Sequence, residues 1–283
     1  MIYRIEHTNT FHYETPVDQS LNHVRLKPRT DVCQKVVSYR TEISPASMSK
    51  EYTDLWGNQV ETFFIPEQHQ TLKVKTTSTV SVQRSPFIGK IENSPEMRDI
   101  FGSALFRQHY LAFLNETSYT FMEDGQIAAI MSDVGSVDNP VRLSLRLMSY
   151  IHETFGYDAK ATNVDTKANE AYTLKRGVCQ DFAHIMIGVL RSQGVPTRYV
   201  SGYLYIGEDS AFVGDAATHA WVEVMIPGIG WVGLDPTNNV EALGSHIRVG
   251  TGRDYGDVSP LQGVYRGGRH TLDVSVGVKV LEK

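Results

Sequence analysis

The stretch from Cys179 to Gly194, CQDFAHIMIGVLRSQG, constrains this chain more than any other. Phe182, Ile185, Met186, Val189 and Leu190 recur at helical spacing and form one apolar stripe, and Gly194 is placed to stop the helix. Directly afterwards the apolar period switches to two, so that TRYVSGYLYIG, HAWVEVMI and WVGLD read as strands. One apolar helix followed by several strands with short connections predicts an α+β unit with antiparallel pairing.

The remainder divides by pattern. Residues 1–85 alternate polar and apolar positions in IYRIEH, VVSYRTEIS, QVETFFI and TLKVKTTSTVSVQ, which predicts a β-rich, sandwich-like domain. Gly57-Asn58 within DLWGNQ marks a hairpin turn there. Residues 86–137 are aromatic-rich and read as a connector of short helices. Residues 138–283 hold the helix-and-sheet domain, which ends in the alternating TLDVSVGVKVL. Its first helix is signalled by VDNPVRLSLRLMSYIHETFGYD: Asp138 or Asn139 caps, Pro140 suits the first turn, and Gly156 ends it. Val141, Leu145, Met148, Ile151 and Phe155 form its expected buried stripe.

Composition narrows the function classes. Hydrophobic residues at 41% and charged residues at 21% are those of a globular chain with a sizeable core. A formal charge of -5 argues against nucleic acid or an anionic membrane as partner. No run approaches the roughly 18 apolar residues of a membrane span. The opening MIYRIEHTNTFHYETPV alternates like a strand, unlike a secretory signal, and two cysteines make no disulfide framework, so a cytoplasmic location is expected. No metal or cofactor is expected either, because the ten histidines include no His-x3-His pair and the cysteines no zinc spacing.

Chemistry concentrates at Cys179. It begins the helix, where the partial positive charge of the N-terminus favours a thiolate. Cys33, in the β-rich region, reads as a packing residue. His184 follows Cys179 by five residues, which turns its side chain about 140° away around the helix. A better base is His219. In THAWVEVMI, His219, Trp221 and Glu223 share one face of a strand and Ala220, Val222, Val224 and Ile226 the other. With the apolar face toward the core, His219 and Trp221 are left for a cleft. Placing Val232 opposite Val224 and Leu234 opposite Val222 keeps both apolar sets on one face and requires an odd-length loop at PGIG. In that register Asp235 lies opposite Trp221 and diagonal to His219, within side-chain reach. Cys179, His219 and Asp235 thus offer nucleophile, base and orienting acid for acyl transfer through a thioester.

Other residues play lesser parts. The backbone amide of Cys179 is the default oxyanion donor, with Gln180, Trp221 and Tyr157 as substrate or oxyanion candidates. Asp181 compensates the helix dipole, Asp215 and Asn238 compete with Asp235 as orienters, and Tyr199 and Tyr203 read as core or cleft wall. The GRDYGD loop is a surface turn that could contact substrate.

The segments YDAKATNVDTKANEAYTLKRGVCQDFAHIMIGVLRSQGVPTRYVSGYL, THAWVEVMIPGIGWVGLDPTNN and GRDYGDVSPLQGVY resemble the bacterial transglutaminase-like superfamily, whose members are often labelled cysteine proteases. The β-rich first third resembles the region that usually precedes that domain, so the resemblance covers nearly the whole chain. It implies a papain-like core and maps the family triad onto Cys179, His219 and Asp235. It also implies hydrolysis of a peptide or protein amide, with two alternatives: transfer of the acyl group to an amine, or a non-catalytic binding module that keeps the papain-like shell.

Overall fold

The computed structural model describes residues 1–87, 95–135, 137, 139–207 and 218–282. Its first 82 residues form six strands: β1 (Ile2–Val17), β2 (Ser20–Val24), β3 (Gln34–Ser44), β4 (Ser49–Thr53), β5 (Gln59–Ile65) and β6 (His69–Val82). The expected hairpin joins β4 to β5. Gly57 adopts φ +78°, a left-handed conformation natural to glycine. Asp54 Oδ1 accepts from the backbone N–H groups of Trp56 and Asn58 and fixes the turn.

Short helices follow, α1 (Pro95–Gly102), α2 (Ala104–His109) and α3 (Asp124–Val134), then the longer α4 (Pro140–Thr154). Asn139 caps α4 by accepting from the N–H of Val141 and Arg142, and Pro140 fills the first position. Asp138, the other cap candidate, lies outside the described residues. The buried stripe of α4 is wider than its sequence spacing indicates: Leu143, Ser144 and Leu147 are buried and Leu145 only partly so. Neighbours on two sides of the helix account for this. The segment expected as a connector also joins the core, since Phe101, Met122, Ile130 and Val134 pack in the same apolar cluster as Ile185 and Leu190.

Strand β7 (Gly156–Tyr157), helix α5 (Ala168–Leu174) and β8 (Arg176–Gly177) lead into α6 (Cys179–Ser192). Every residue of α6 from Gln180 to Arg191 is buried, so it is a central helix and not merely an amphipathic one. Its sheet is β9 (Thr197–Leu204), β10 (His219–Ile226), β11 (Gly230–Asp235), β12 (Val240–Glu241) and β13 (His246–Gly252), followed by the short α7 (Tyr255–Val258). The spatial order is β12-β11-β10-β9-β13, with antiparallel pairing throughout. This is the helix-on-antiparallel-sheet core expected from the sequence.

The last two strands, β14 (Leu261–Tyr265) and β15 (His270–Glu282), leave this core. β15 pairs along β1 and β14 along β2, giving two four-stranded sheets in the orders β15-β1-β6-β3 and β14-β2-β5-β4. Both strands lie within the unit expected over 138–283 yet pair with strands of the first 85 residues. Alternation along TLDVSVGVKVL reveals a strand, but the pairing partner, more than 250 residues away, leaves no local mark. β1 is long enough to serve two neighbours. Tyr3 and Ile5 pack with Tyr203, Ile247 and Val249 of the helix-and-sheet core, whereas Phe11, Tyr13 and Val17 pack inside the sandwich against Val24, Phe63 and Ile65.

Gly188 tests how tightly α6 is enclosed. A Cβ there would collide with the carbonyl oxygen of Thr120 and lie 2.8 Å from Met122 Cγ. Glycine-to-alanine in a helix favours folding by about 1 kcal/mol, but overpacking against fixed backbone costs about 1–3 kcal/mol. Gly188→Ala is therefore expected to be destabilising, with a lower melting temperature in thermal denaturation. A rise in melting temperature would show that the contact yields.

Candidate active site

Cys179 is held at the first turn of α6 by its neighbours in sequence. Asp181 Oδ2 accepts from the Val178 N–H at 2.8 Å and from the Thr162 hydroxyl at 2.6 Å, tying the helix start to the preceding loop. Gly177 makes room for this, because a Cβ on residue 177 would lie 2.5 Å from Asp181 Oδ2. Burial raises the Asp181 pKa, against the two hydrogen bonds that lower it. Cys179 itself is partly exposed.

β10 brings His219 into the same cleft as Cys179, close enough that the thiol helps raise the His219 pKa. His219 Nε2 meets Asp235 Oδ2 at 2.8 Å, which leaves Nδ1 as the ring nitrogen facing Cys179. The register is the one that matching apolar faces requires: Val222 pairs with Leu234 and Val224 with Val232 across a three-residue loop, 227–229. Thiol, imidazole and carboxylate therefore stand in series.

Asp235 is fully buried and its carboxylate is saturated. Oδ1 accepts from the backbone N–H groups of Thr237 and Asn238. Oδ2 accepts from His219, from Asn238 Nδ2 at 2.8 Å and from His246 Nε2 at 3.1 Å. Burial alone would raise the Asp235 pKa, but the His219 charge and these donors hold it well below the carboxylate range. Burial likewise works against a charged His219, yet Asp235 and then Cys179 lift its pKa to about 10. His246 is pushed the other way by burial, which outweighs Asp235. It acts as a neutral donor through Nε2, with Nδ1 against the Ser245 hydroxyl at 3.2 Å. His219, Asp235 and His246 have ligand atoms within 4.8 Å of one another, a grouping able to hold a metal ion. Both histidine Nε2 atoms, however, point their hydrogens at the carboxylate, so the arrangement is satisfied as a hydrogen-bonded cluster.

Several expectations need revising. His219, Trp221 and Glu223 do share a face, but it is not open. Glu223 is buried between Arg198, at 2.6 Å, and Arg248, at 3.1 Å. Trp221 packs with Val200 and Ala242, its ring 5.2 Å from that of His246. Alternation distinguishes two faces without revealing that a second layer covers the polar one. Only the His219 end of the strand meets the cleft. That cleft, of about 280 Å³, is lined by Cys179, Gln180, Tyr199 and His219 and also by His7 and Asn9 of β1. Gln180 lines the cleft, and its Nε2 donates to the Val164 carbonyl at 2.9 Å. Trp221 and Tyr157 do not line the cleft; Tyr157 packs near Phe182, with ring centroids 6.5 Å apart. His184 does not line the cleft: it is fully buried between the rings of Tyr119 and Tyr199, accepts from the Tyr255 N–H, and burial lowers its pKa to about 3. Asn238 supports Asp235 where it was weighed as a rival, and Asp215 lies outside the described residues. Among the GRDYGD residues, Tyr255 reaches the cleft.

Three residues of the neighbourhood went unnoticed in the sequence. His246 carries no local signal. His7 and Asn9 do, because they interrupt the apolar series Tyr3, Ile5, Phe11, Tyr13 on one face of β1.

Comparison with known proteins agrees with this architecture. Residues 128–236 match the transglutaminase-like superfamily, and residues 3–81 match the bacterial transglutaminase-like N-terminal region. An uncharacterized protein of Mycobacterium leprae is 35% identical over 281 residues, covering 98% of this chain and 97% of the relative. The chain belongs to the transglutaminase-like superfamily. A crystal structure of a candidate cysteine protease from Cytophaga hutchinsonii shares the fold, with a TM-score of 0.75 over 100% of this chain and 91% of that one at 20% identity. A protein-glutamine gamma-glutamyltransferase of Pseudomonas aeruginosa is 36% identical over 100 residues, which are 33% of this chain and 15% of that relative.

The saturated carboxylate makes a specific demand at position 235. An amide has one acceptor oxygen, so in Asp235→Asn the NH2 group would face hydrogen-bond donors in either orientation. The substitution is expected to cost about 3 kcal/mol, the scale for breaking a buried pair. The pH dependence follows from the two shifts. The raised His219 contributes stability that is fully present below about pH 6.5 and is lost as pH rises through about 10. The lowered Asp235 contributes stability above about pH 3.8, lost as pH falls. Denaturant titrations of both proteins should give the largest gap between about pH 4 and 6.5, narrowing toward pH 10. A constant gap would separate the effect from ionisation.

Proposed function

We propose that this chain is a thiol-dependent acyl-transfer enzyme in which Cys179 is the nucleophile, His219 the base and acid, and Asp235 the group that orients His219. The favoured outcome is hydrolysis of a peptide or other amide bond, and the substrate is a peptide or protein amide. The observation that carries this reading is the series Cys179–His219–Asp235 at the floor of a cleft, with the carboxylate end buried and the thiol end accessible.

In the proposed reaction His219, as imidazolium, already holds the proton of Cys179 Sγ, and the thiolate attacks the amide carbonyl carbon. The oxyanion that forms lies near the free backbone N–H of Cys179, in the unpaired first turn of α6. Imidazolium then gives its proton to the leaving amine as the C–N bond breaks, leaving a thioester. Water attacks that thioester, His219 takes its proton, and the carboxylic acid departs as the Cys179 thiolate is restored. The orientation by Asp235 sets the tautomer that presents Nδ1 to sulfur.

Transfer to a primary amine in place of water is the second reading. The 36% identity to the Pseudomonas aeruginosa gamma-glutamyltransferase supports it within the residues compared. Both readings share the thioester and differ only in what enters afterwards.

With a panel of peptide amides, Cys179→Ala is expected to reduce turnover at least about 1,000-fold with the melting temperature preserved. Unchanged turnover would end the scheme. Mass spectrometry of the products, with and without an added primary amine, divides the readings: free acid alone supports hydrolysis, and an amine adduct supports transfer. The turnover rate should decline at high pH as His219 deprotonates near 10.

A further inference from the structure

The cleft at Cys179 has two walls of different origin. One comes from the helix-and-sheet core; the other is supplied by the sandwich through His7 and Asn9 of β1, Leu261 of β14, and Leu272 and Val274 of β15. Leu272 and Val274 are each 46% exposed, whereas their partners across the ladder, Phe11 and Asn9, are buried. Among the described residues no Asp, Glu, Lys or Arg lines the cleft. An acidic substrate group would lose water there and meet only His219, whose Nε2 is already engaged by Asp235, while a leucine-sized group would remove apolar surface from water on both sides.

The sandwich wall carries one organised polar pair. His7 Nε2 meets Asn9 Oδ1 at 3.1 Å, and His7 Nδ1 meets the Tyr203 hydroxyl at 2.9 Å. Burial lowers the His7 pKa to about 4, so the ring is neutral. Since Oδ1 only accepts, the ring proton sits on Nε2 and Tyr203 donates to Nδ1. This fixes the Asn9 carboxamide and leaves its amide nitrogen as the group offered to the cleft. On the sandwich side this amide donor stands beside Leu261, Leu272 and Val274, an arrangement that suits a peptide carbonyl flanked by an apolar side chain.

Resting on the thiol acyl-transfer reading above, we propose that the sandwich is the recognition wall of the cleft. It selects peptides whose residue on the acyl side of the reacting amide carries an uncharged, apolar side chain, seated against Leu272 and Val274.

The test uses the full chain with Cys33→Ser and measures alkylation of Cys179, in which Sγ forms a carbon bond and displaces halide. Chloromethyl ketones of acetyl-leucine and acetyl-aspartate are compared, with iodoacetamide as the small neutral reference. The leucyl reagent is expected to react at least about tenfold faster than the aspartyl one. Leu272→Asp combined with Val274→Asp should bring the ratio to within about twofold, each rate being divided by the iodoacetamide rate of the same protein, with an unchanged far- and near-ultraviolet circular dichroism spectrum as the report of an intact fold. Leu281→Asp, on the same strand outside the cleft, should keep the ratio. Equal rates in the unsubstituted cleft, or a ratio indifferent to the double substitution, would overturn the proposal. In the chain retaining both cysteines, iodoacetamide reacting with Cys179 no faster than with Cys33 would instead remove the thiol reading, and this proposal with it.

Discussion

A carboxylate with no exposure to water needs every lone pair occupied, and Asp235 meets that requirement from four residues. The backbone after β11 turns back to offer two N–H groups, Asn238 adds its side chain, and two histidines arrive from strands on either side of β9. Much of the surrounding geometry follows. β11 must stop at Asp235 for Thr237 and Asn238 to fold over it. β10 must pair in the register that puts His219 beside it, and β13 must reach far enough to deliver His246. The same buried negative charge sustains the imidazolium form of His219, and with it the polarity of the contact to Cys179. A site usually described from its sulfur outward is, energetically, built from its acid inward.

The parts of this arrangement legible in the sequence are those governed by short-range periodicity. Alternation in HAWVEVMI and WVGLD fixed the face of His219, and matching the apolar faces fixed the register that brings Asp235 near it. Helical angle turns His184 away from Cys179, and its burial between two tyrosines agrees. The illegible parts depend on which distant elements touch. His246 enters because β13 pairs with β9 on the far side of the sheet from β11. Trp221 and Glu223 are covered although their strand alternates as a half-wet strand would, and Arg198 and Arg248 supply the charges that make burial of Glu223 tolerable. Tyr157 looked available beside the cysteine loop but packs against Phe182. His7 and Asn9 left a trace as two polar residues in an apolar series, which reads as noise until the cleft opposite them is seen.

The sandwich and the core are joined by more than adjacency. β1 runs from one hydrophobic cluster to the other, so its two halves are ordered by different parts of the molecule. Its polar middle falls where neither cluster could fill the space, and that gap is the inner end of the cleft. Displacing the sandwich would therefore both expose Tyr203, Ile247 and Val249 and remove one side of the cleft around Cys179.

The pairing of β1 with β15 also carries a consequence in time. On the ribosome, Cys179, His219 and Asp235 are all synthesised before residue 260, while β1 waits with one edge unpaired for a partner more than 250 residues later. Until β15 emerges and docks, the cleft beside Cys179 lacks Leu272 and Val274, and the sulfur stands in a groove open on one side. The order of synthesis thus separates the making of the thiol from the making of its enclosure.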